Sequence, residues 1–214
     1  MSDELVFYTH PMSRARLVRW MLEEVGRPYT TKVLEFGHSM KAPDYLAINP
    51  MGKVPAIRHG ETVVTEAAAI CAYLADAFPE AGLAPPCGSR ERGPYYRWLF
   101  FAAGPVEAAV SNRSLGVEAK PEQALGLGYG TYDHVMDALE TAVSASDYVA
   151  GEAFSAADVY FGSQVGWGMQ FGMIERRPAF ECYWARIGQR PAALRALEID
   201  EALMPAQSGV PGAA

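Results

Sequence analysis

The stretch NPMGKVPAIRHGETVVTEAAAI, residues 49–70, decides the fold of the first part of the chain. Two β-type runs flank Gly60-Glu61, which is a two-residue signal for a tight hairpin turn. An alanine-rich helical run then extends to about Ala77, and Thr65 is placed to cap its start. The stretch therefore predicts a hairpin that leads directly into a helix.

Short β-type and helical runs alternate along the chain as far as residue 78. Upstream of the hairpin, the order strand, helix, strand, helix is predicted over residues 5–8, 13–25, 29–34 and 40–47. One parallel crossover followed by a hairpin is typical of a small mixed sheet with helices. This part of the chain therefore predicts an α/β fold with the element order βαβαββα.

The pattern changes after a turn-rich segment at residues 79–89. The β-type runs fade there, and long helical runs are broken at points that contain glycine or proline. Helices are predicted over about 90–117, 121–145, 156–173, 178–189 and 191–200. We therefore expect an α/β plus all-α protein with a first domain at 1–78, a linker at 79–89 and an all-helical domain at 90–214.

Composition and charge exclude several kinds of partner. Half of the 214 residues are hydrophobic and the net charge is −7, which argues against nucleic acid or an anionic membrane surface. No apolar run reaches the roughly 18 residues of a membrane-spanning helix. The three cysteines form neither a CxxC nor a zinc pattern, and Asp133-His134 lacks partners at metal spacing. We expect no metal, and a reducing compartment, the cytoplasm.

Pro55 lies inside a β-type run, where a proline removes a hydrogen-bond donor from the ladder. An edge strand tolerates that loss, but X–Pro is also the peptide bond whose cis form costs only about 0.5–1 kcal/mol. We predict a cis Val54–Pro55 bond, which would turn the main chain of Val54 outward, where it can pair with the backbone of a peptide. Nearby, Glu66-Ala67 opens a helix that attracts a carboxylate, while the Glu66 side chain can hold an ammonium. Together with Lys53, these residues suit a small zwitterionic peptide.

Two motifs resemble those of the cytosolic glutathione transferases, in particular bacterial-type members with a serine-type active site. NPMGKVPAI followed by TEAAAICAYLAD is similar to the family's glutathione-site signature. FSAADVYF, residues 154–161, is similar to the capping motif of the second domain, where Ser155 and Asp158 make an S-x-x-D box. The resemblance implies a thioredoxin-like N-terminal domain, an all-helical C-terminal domain, a homodimer, and glutathione as cosubstrate.

The resemblance also implies which residues bind glutathione. They are Lys41, Lys53, Val54, Pro55, Glu66 and Ala67, with the two lysines as candidates for the glycyl carboxylate. The family commonly has Glu-Ser where this chain has Glu66-Ala67. The missing hydroxyl removes one hydrogen bond to a charged group, worth about 1–3 kcal/mol, so we expect glutathione to bind more weakly but still to bind.

The catalytic group is expected where the first strand meets the first helix, in FYTHPMSRAR, residues 7–16. A free thiol is only slightly ionised at neutral pH, and a hydroxyl donor beside a helix N-terminus would make the thiolate the major species. Ser13 is the predicted donor, although a serine there is equally a plain helix cap. Tyr8, Thr9 and His10 remain alternatives. Residues 10–13 have the frame of a redox C-x-x-C motif without either cysteine, which argues against dithiol exchange.

The electrophile is expected to bind an apolar pocket beside the thiol. Its candidate lining residues are Tyr8, Met12, Tyr96, Phe100 and Trp167, although core or dimer packing would equally explain the helical ones. We therefore predict a transferase that ionises glutathione and conjugates it to small, mostly apolar electrophiles, as in detoxification. The alternatives are a glutathione-dependent peroxidase or isomerase on the same fold, or a non-catalytic glutathione- or ligand-binding protein.

Overall fold

The structure, a computed structural model, describes residues 4–117 and 119–204. Within these residues one mixed sheet is formed by β1 (Leu5–Thr9), β2 (Thr30–Val33), β3 (Ala56–His59) and β4 (Thr62–Thr65). The strand order is β2-β1-β3-β4, with β1 parallel to β2 and antiparallel to β3, and β3 antiparallel to β4. This arrangement confirms the predicted crossover and hairpin.

Three helices accompany the sheet in the N-terminal half that the structure describes. They are α1 (Ala15–Val25), α2 (Pro43–Leu46) and α3 (Ala67–Ala77). Gly26 ends α1 in the left-handed conformation, with φ of 70°. The predicted helix at 40–47 is instead a 3-10 turn at Ser39–Lys41 followed by the short α2. The cap prediction for Thr65 is wrong, because Thr65 ends β4 and Glu66 occupies the N-cap position of α3.

The C-terminal half is helical throughout the part described. Its helices are α4 (Arg92–Phe101), α5 (Glu107–Ser114), α6 (Pro121–Ala124), α7 (Tyr132–Ala145), α8 (Ala156–Gln170), α9 (Pro178–Ile187) and α10 (Pro191–Ala202). A π-helical turn at Ala102–Val106, which contains Pro105, joins α4 to α5. The single helix predicted over 121–145 is wrong, because a glycine-rich loop separates α6 from α7. Within the described residues, no helix is long and apolar enough to cross a bilayer.

Helix α8 crosses the middle of the helical half, and its start is fixed by the predicted capping box. The carboxylate of Asp158 is fully buried and accepts hydrogen bonds from the Ser155 N–H at 2.9 Å and the Val149 N–H at 2.7 Å. It also accepts from the Tyr183 hydroxyl at 2.8 Å. Burial raises the pKa of Asp158, and these donors oppose the shift. The box thus joins the start of α8 both to the preceding loop and to α9.

Glycines on α8 allow a close approach to the segments that follow it. A β-carbon at Gly166 would lie 2.5 Å from the Trp184 ring, and one at Gly168 would lie 2.5 Å from Ile174. At Gly162 a β-carbon would overlap the Ile187 side chain. The close packing at these glycines is mainly with α9.

A buried ion pair holds the last helix on the first half of the chain. Arg19 on α1 donates to Asp200 on α10 at 2.6 Å, and each side chain is only 1% exposed. Arg19 also donates to the Tyr29 hydroxyl at 3.1 Å. Losing one partner of a buried pair costs about 3–5 kcal/mol, so this contact strongly favours one relative placement of the two halves.

Candidate functional site

A cavity of about 310 Å³ lies between the two halves of the protein. Its first side is formed by the loop before β3, by the start of α3 and by the start of α1. Its second side comes from the π-helical turn, from α5 and from α8. The lining residues are Arg14, Leu17, Asn49, Met51, Lys53, Val54, Pro55, Glu66, Ala67, Ala68, Ala103, Glu107, Tyr160 and Gln164. The cavity therefore brings together most of the predicted glutathione-binding residues.

The loop before β3 presents free main-chain groups to this cavity. The Val54–Pro55 peptide bond is cis, as predicted. The carbonyl of Lys53 accepts hydrogen bonds from the Tyr45 hydroxyl at 2.6 Å and from the Asn49 amide at 2.8 Å, which fixes the loop from behind. Within residues 4–117 and 119–204, neither the N–H nor the C=O of Val54 has a hydrogen-bond partner. A strand-like ligand can therefore pair with both groups.

Glu66 starts α3 in an unusual backbone conformation. Its φ is 66° and its ψ is 117°, and it is the one non-glycine residue with positive φ in the described part of the chain. Such a conformation costs about 1–3 kcal/mol and tends to occur at binding sites. The next residues, Ala67 and Ala68, also line the cavity, where the first N–H groups of a helix attract an anion.

The two candidate lysines occupy different places. Lys53 lines the cavity beside Val54. Lys41 lies outside the lining, in the 3-10 turn, and its ammonium donates to the Met51 carbonyl at 2.9 Å. A β-carbon at Gly52, where φ is 57°, would lie 2.6 Å from the Met40 carbonyl, so this tight turn requires glycine. Lys41 is therefore hydrogen-bonded to the loop that carries Lys53.

The catalytic candidates cluster in the turn between β1 and α1. Ser13 is half-buried; its hydroxyl donates to the His10 carbonyl at 2.7 Å and accepts from the Ala15 N–H at 3.2 Å. The His10 ring accepts from the main-chain N–H of residue 12 at 3.1 Å. Tyr8 packs on the Tyr45 ring, with centroids 5.5 Å apart. The Thr9 hydroxyl is buried and has no partner within the described chain. None of the four candidates lines the cavity, although the neighbouring Arg14 does.

Polar residues that the sequence analysis missed form the second side of the cavity. Arg14 makes an ion pair with Glu107 on α5. On α8, the Tyr160 hydroxyl accepts a hydrogen bond from the Gln164 amide at 3.4 Å. Tyr160 is 6% exposed, and burial raises the pKa of its hydroxyl. Arg14 adjoins the predicted Ser13, and Tyr160 lies inside the FSAADVYF motif. Both residues therefore lie in segments that the sequence analysis had already identified as functional or structural motifs.

The five predicted pocket residues, Tyr8, Met12, Tyr96, Phe100 and Trp167, lie outside this lining. Met12 and Phe100 are largely exposed, at 63% and 72%. Tyr96 accepts a hydrogen bond from Arg92 at 3.0 Å, and Trp167 lines a separate cavity of about 320 Å³ with Trp20. The second side of the cavity is therefore more polar than the sequence predicts.

The cysteine on α3 is buried in a place where its thiol is unreactive. Cys71 on α3 is fully buried, and burial raises the pKa of its thiol to about 12, so it stays protonated at neutral pH. Within residues 4–117 and 119–204, no group of three or more His, Cys, Asp or Glu side chains is arranged to hold a metal ion.

The fold and the cavity define a class: a thioredoxin-like α/β half followed by an all-helical half, with a cavity lined by residues of both. The family model for the N-terminal domain of glutathione S-transferases matches residues 11–77. A glutathione S-transferase of Xanthomonas campestris is 28% identical over 188 residues, covering 84% of this chain and 91% of that protein.

Solved structures agree with the sequence matches. A sphingomonad glutathione S-transferase in complex with glutathione is 30% identical, with a TM-score of 0.74 over 92% of this chain and 98% of that one. The transferase URE2P6 of Phanerochaete chrysosporium, in complex with oxidised glutathione, is 25% identical, with a TM-score of 0.77 over 95% and 99%. The chain belongs to the glutathione S-transferase family, and the predicted fold class and enzyme class are confirmed.

Proposed function

We propose that this protein binds glutathione in the 310 Å³ cavity, ionises its thiol and transfers it to a small electrophile. The observation that carries the proposal is the unpaired main chain of Val54, which faces the same cavity as the start of α3. An extended peptide satisfies both Val54 groups while its terminal carboxylate reaches the helix N-terminus. Glutathione has the length and the charges for that placement.

Each end of glutathione has a proposed partner. Glu66 holds the ammonium of the γ-glutamyl end, and the N–H groups at Ala67 and Ala68 hold its carboxylate. Lys53 holds the glycyl carboxylate, with Lys41 as a second cation behind it, and Pro55 shapes the wall at the cysteinyl residue. The support is that all of these except Lys41 line one cavity.

Ser13 is the proposed hydrogen-bond donor to the thiolate. It lies in the β1–α1 turn next to Arg14, which lines the cavity. Its hydroxyl proton is engaged with the His10 carbonyl, so a rotation of the hydroxyl redirects it to the sulfur when glutathione binds. A charge-assisted hydrogen bond of this kind contributes about 1.5–3 kcal/mol, enough to lower a thiol pKa by one to two units.

A conjugation assay tests the proposal. The protein is mixed with glutathione and a haloarene electrophile, and the bound thiol is titrated through the ultraviolet absorbance of the thiolate. We expect conjugation above the uncatalysed rate and a bound thiol pKa about one to two units below that of free glutathione. Glutathione binding without conjugation and without a lowered thiol pKa would instead favour the non-catalytic binding protein. That alternative is specific to this chain because Ala67 stands where the family commonly has serine. Turnover of a peroxide alone would favour the peroxidase.

We propose that the protein is a cytoplasmic homodimer that acts in detoxification and has no nucleic-acid or membrane partner. Exposed aromatic side chains on α4 support a dimer: Tyr96 is 41% exposed and Phe100 is 72% exposed. Light scattering at micromolar concentration would contradict the dimer if it gave the 23.2 kDa of one chain. The domain boundaries at 1–78, 79–89 and 90–214 are also a proposal, supported by the break between α3 and α4.

A further inference from the structure

The cavity of about 320 Å³ that Trp167 lines is enclosed by α1, α8, α10 and the end of α9, and it shares no lining residue with the 310 Å³ cavity. Three of the chain's four tryptophans line it, namely Trp20, Trp167 and Trp184. The Trp20 and Trp184 rings meet edge to face, with centroids 6.1 Å apart. The exposed side chains of Leu194 and Leu197 also line it, so the cavity is open to solvent along α10. Its walls therefore suit a small aromatic ring.

Two charged residues that line this cavity each have a polar atom without a hydrogen-bond partner. Asp200 is 1% exposed, and its Oδ1 accepts from Arg19 at 2.6 Å, but in the described part of the chain no donor reaches its buried Oδ2. The Nη2 of Arg16 is also buried and has no acceptor there. A carboxylate can only accept and a guanidinium can only donate, so the role of each atom is fixed. Because buried polar atoms normally have partners, this pair indicates a ligand with a polar group at this point.

A single oxygen can satisfy both residues. The Arg16 Nε lies 3.9 Å from the Asp200 Oδ2, which is too long for a hydrogen bond but lets one oxygen lie about 2.8 Å from each. The Arg16 side chain is 27% exposed, so it has room to shift and admit that oxygen. A hydroxyl fits both roles, because it donates to Oδ2 and accepts from the guanidinium.

Other polar groups fit this pair less well. A carboxylate has no proton to donate and would face the negative charge of Asp200. An ammonium cannot accept a hydrogen bond and would face the positive charge of Arg16. We infer that the 320 Å³ cavity binds a small neutral phenol, with its ring among the tryptophans and its hydroxyl between Arg16 and Asp200. This inference goes beyond the proposed function and does not depend on it.

The electrostatics of Asp200 agree with a ligand that donates. Burial raises the pKa of Asp200, while the charge of Arg19, its hydrogen bond and the charge of Arg16 lower it. A further donor from a ligand would favour the ionised carboxylate in the same direction as these cations. A hydrogen bond to a charged group of this kind changes affinity about tenfold to hundredfold.

Calorimetric titration with three probes of similar shape tests the inference. The probes are 4-ethylphenol, which donates and accepts, 4-ethylanisole, which only accepts, and 4-ethylbenzoate, which only accepts and is charged. We expect the phenol to bind about tenfold to hundredfold more tightly than either of the others. Saturating glutathione should leave the dissociation constant of the phenol unchanged, because the two cavities share no lining residue.

Two variants locate the bound phenol. Ala193→Phe fills the cavity from a half-buried position on α10 and should abolish phenol binding. Arg16→Met keeps most of the side-chain length but removes the donors, so the dissociation constant of the phenol should rise about tenfold. Arg97→Met is the matched control: Arg97 lies over the Trp98 ring in another cavity, and its replacement should leave phenol binding unchanged. Melting curves confirm that each variant is folded, and Ala193→Phe decides alone if Arg16→Met is not.

Several outcomes would overturn the inference. Equal affinity for the phenol and the ether would show that the polar pair does not recognise a hydroxyl. Displacement of the phenol by glutathione, or unchanged binding in a folded Ala193→Phe protein, would place the phenol outside this cavity. Absence of binding by all three probes would leave water as the partner of Arg16 and Asp200. None of these measurements uses conjugation, so failure of the proposed function and failure of this inference are distinguishable.

Discussion

Replacing Glu66 by glycine should stabilise the free protein or leave it unchanged, and weaken glutathione binding. Glu66 has φ of 66° and ψ of 117°, where a side chain is unfavourable, and its carboxylate makes no ion pair within the described chain. The strained conformation costs about 1–3 kcal/mol. Glycine removes that cost but adds about 0.5–1 kcal/mol of chain entropy, so the net gain should lie between about 0 and 2.5 kcal/mol.

The effect on binding has the opposite sign. If Glu66 holds the ammonium of glutathione, its loss removes a charge-assisted hydrogen bond worth about 1.5–3 kcal/mol. The dissociation constant should then rise about tenfold to hundredfold. Glu66→Gln is the matched control: it keeps a β-carbon in the strained conformation, so its stability should stay within about 0.5 kcal/mol of wild type while binding still weakens.

Two measurements separate these effects. Denaturant unfolding without glutathione gives the free energy of unfolding, and calorimetric titration gives the dissociation constant. A Glu66→Gly variant destabilised by more than about 1 kcal/mol would show that the conformation is not strained. Unchanged affinity in both variants would remove Glu66 from the glutathione site. Because the two results are independent, either part of the reasoning can fail alone.

Three further predictions test the catalytic turn and the helical half. Ser13→Ala should raise the pKa of the bound thiol by about one to two units and slow conjugation at neutral pH about tenfold to hundredfold. If Tyr8 is the donor instead, Tyr8→Phe should show both effects. A melting curve of the Ser13→Ala protein controls for the loss of the helix cap. Asp158→Ala leaves several buried donors unpaired and should cost about 3 kcal/mol or more in denaturant unfolding, with Asp158→Asn closer to wild type. Gly166→Ala should cost about 1–3 kcal/mol because its β-carbon meets an α9 tryptophan ring, and Gly104→Ala, which meets nothing within 4 Å, should not.

The sequence predicts the first side of the cavity well because most of the residues that form it are close together in the sequence. Hairpin, cis bond and helix start all lie within residues 49–70, so turn chemistry and hydrophobic period specify them together. The error on this side is small and has a physical cause. Thr65 was assigned as a cap from its residue type, but its pairing with Ala56 keeps it in β4, and the cap position passes to a residue with positive φ.

The second side of the cavity could not be predicted in the same way, because it depends on how distant helices meet. Glu107 pairs with Arg14 across 93 positions of sequence, and no local pattern signals that contact. The aromatic residues at 96 and 100 were predicted to line the pocket because of their residue type, yet both are exposed and neither lines the cavity. Aromatic content indicates where apolar surface is, whereas the direction of a side chain depends on the tertiary packing of its helix.

Helix α8 shows how the capping motif nevertheless positions part of the second side of the cavity. Residues 158, 162 and 166 are spaced by four, so they share one face, and that face contacts α9. Residues 160 and 164 are also spaced by four and lie about 200° and about 240° around the helix from residue 158, because each residue turns the helix by about 100°. The box that buries Asp158 against α9 therefore directs Tyr160 and Gln164 toward the opposite side, into the cavity. A motif that is read as purely structural thus determines which side chains of α8 line the cavity, beginning two residues further along the chain.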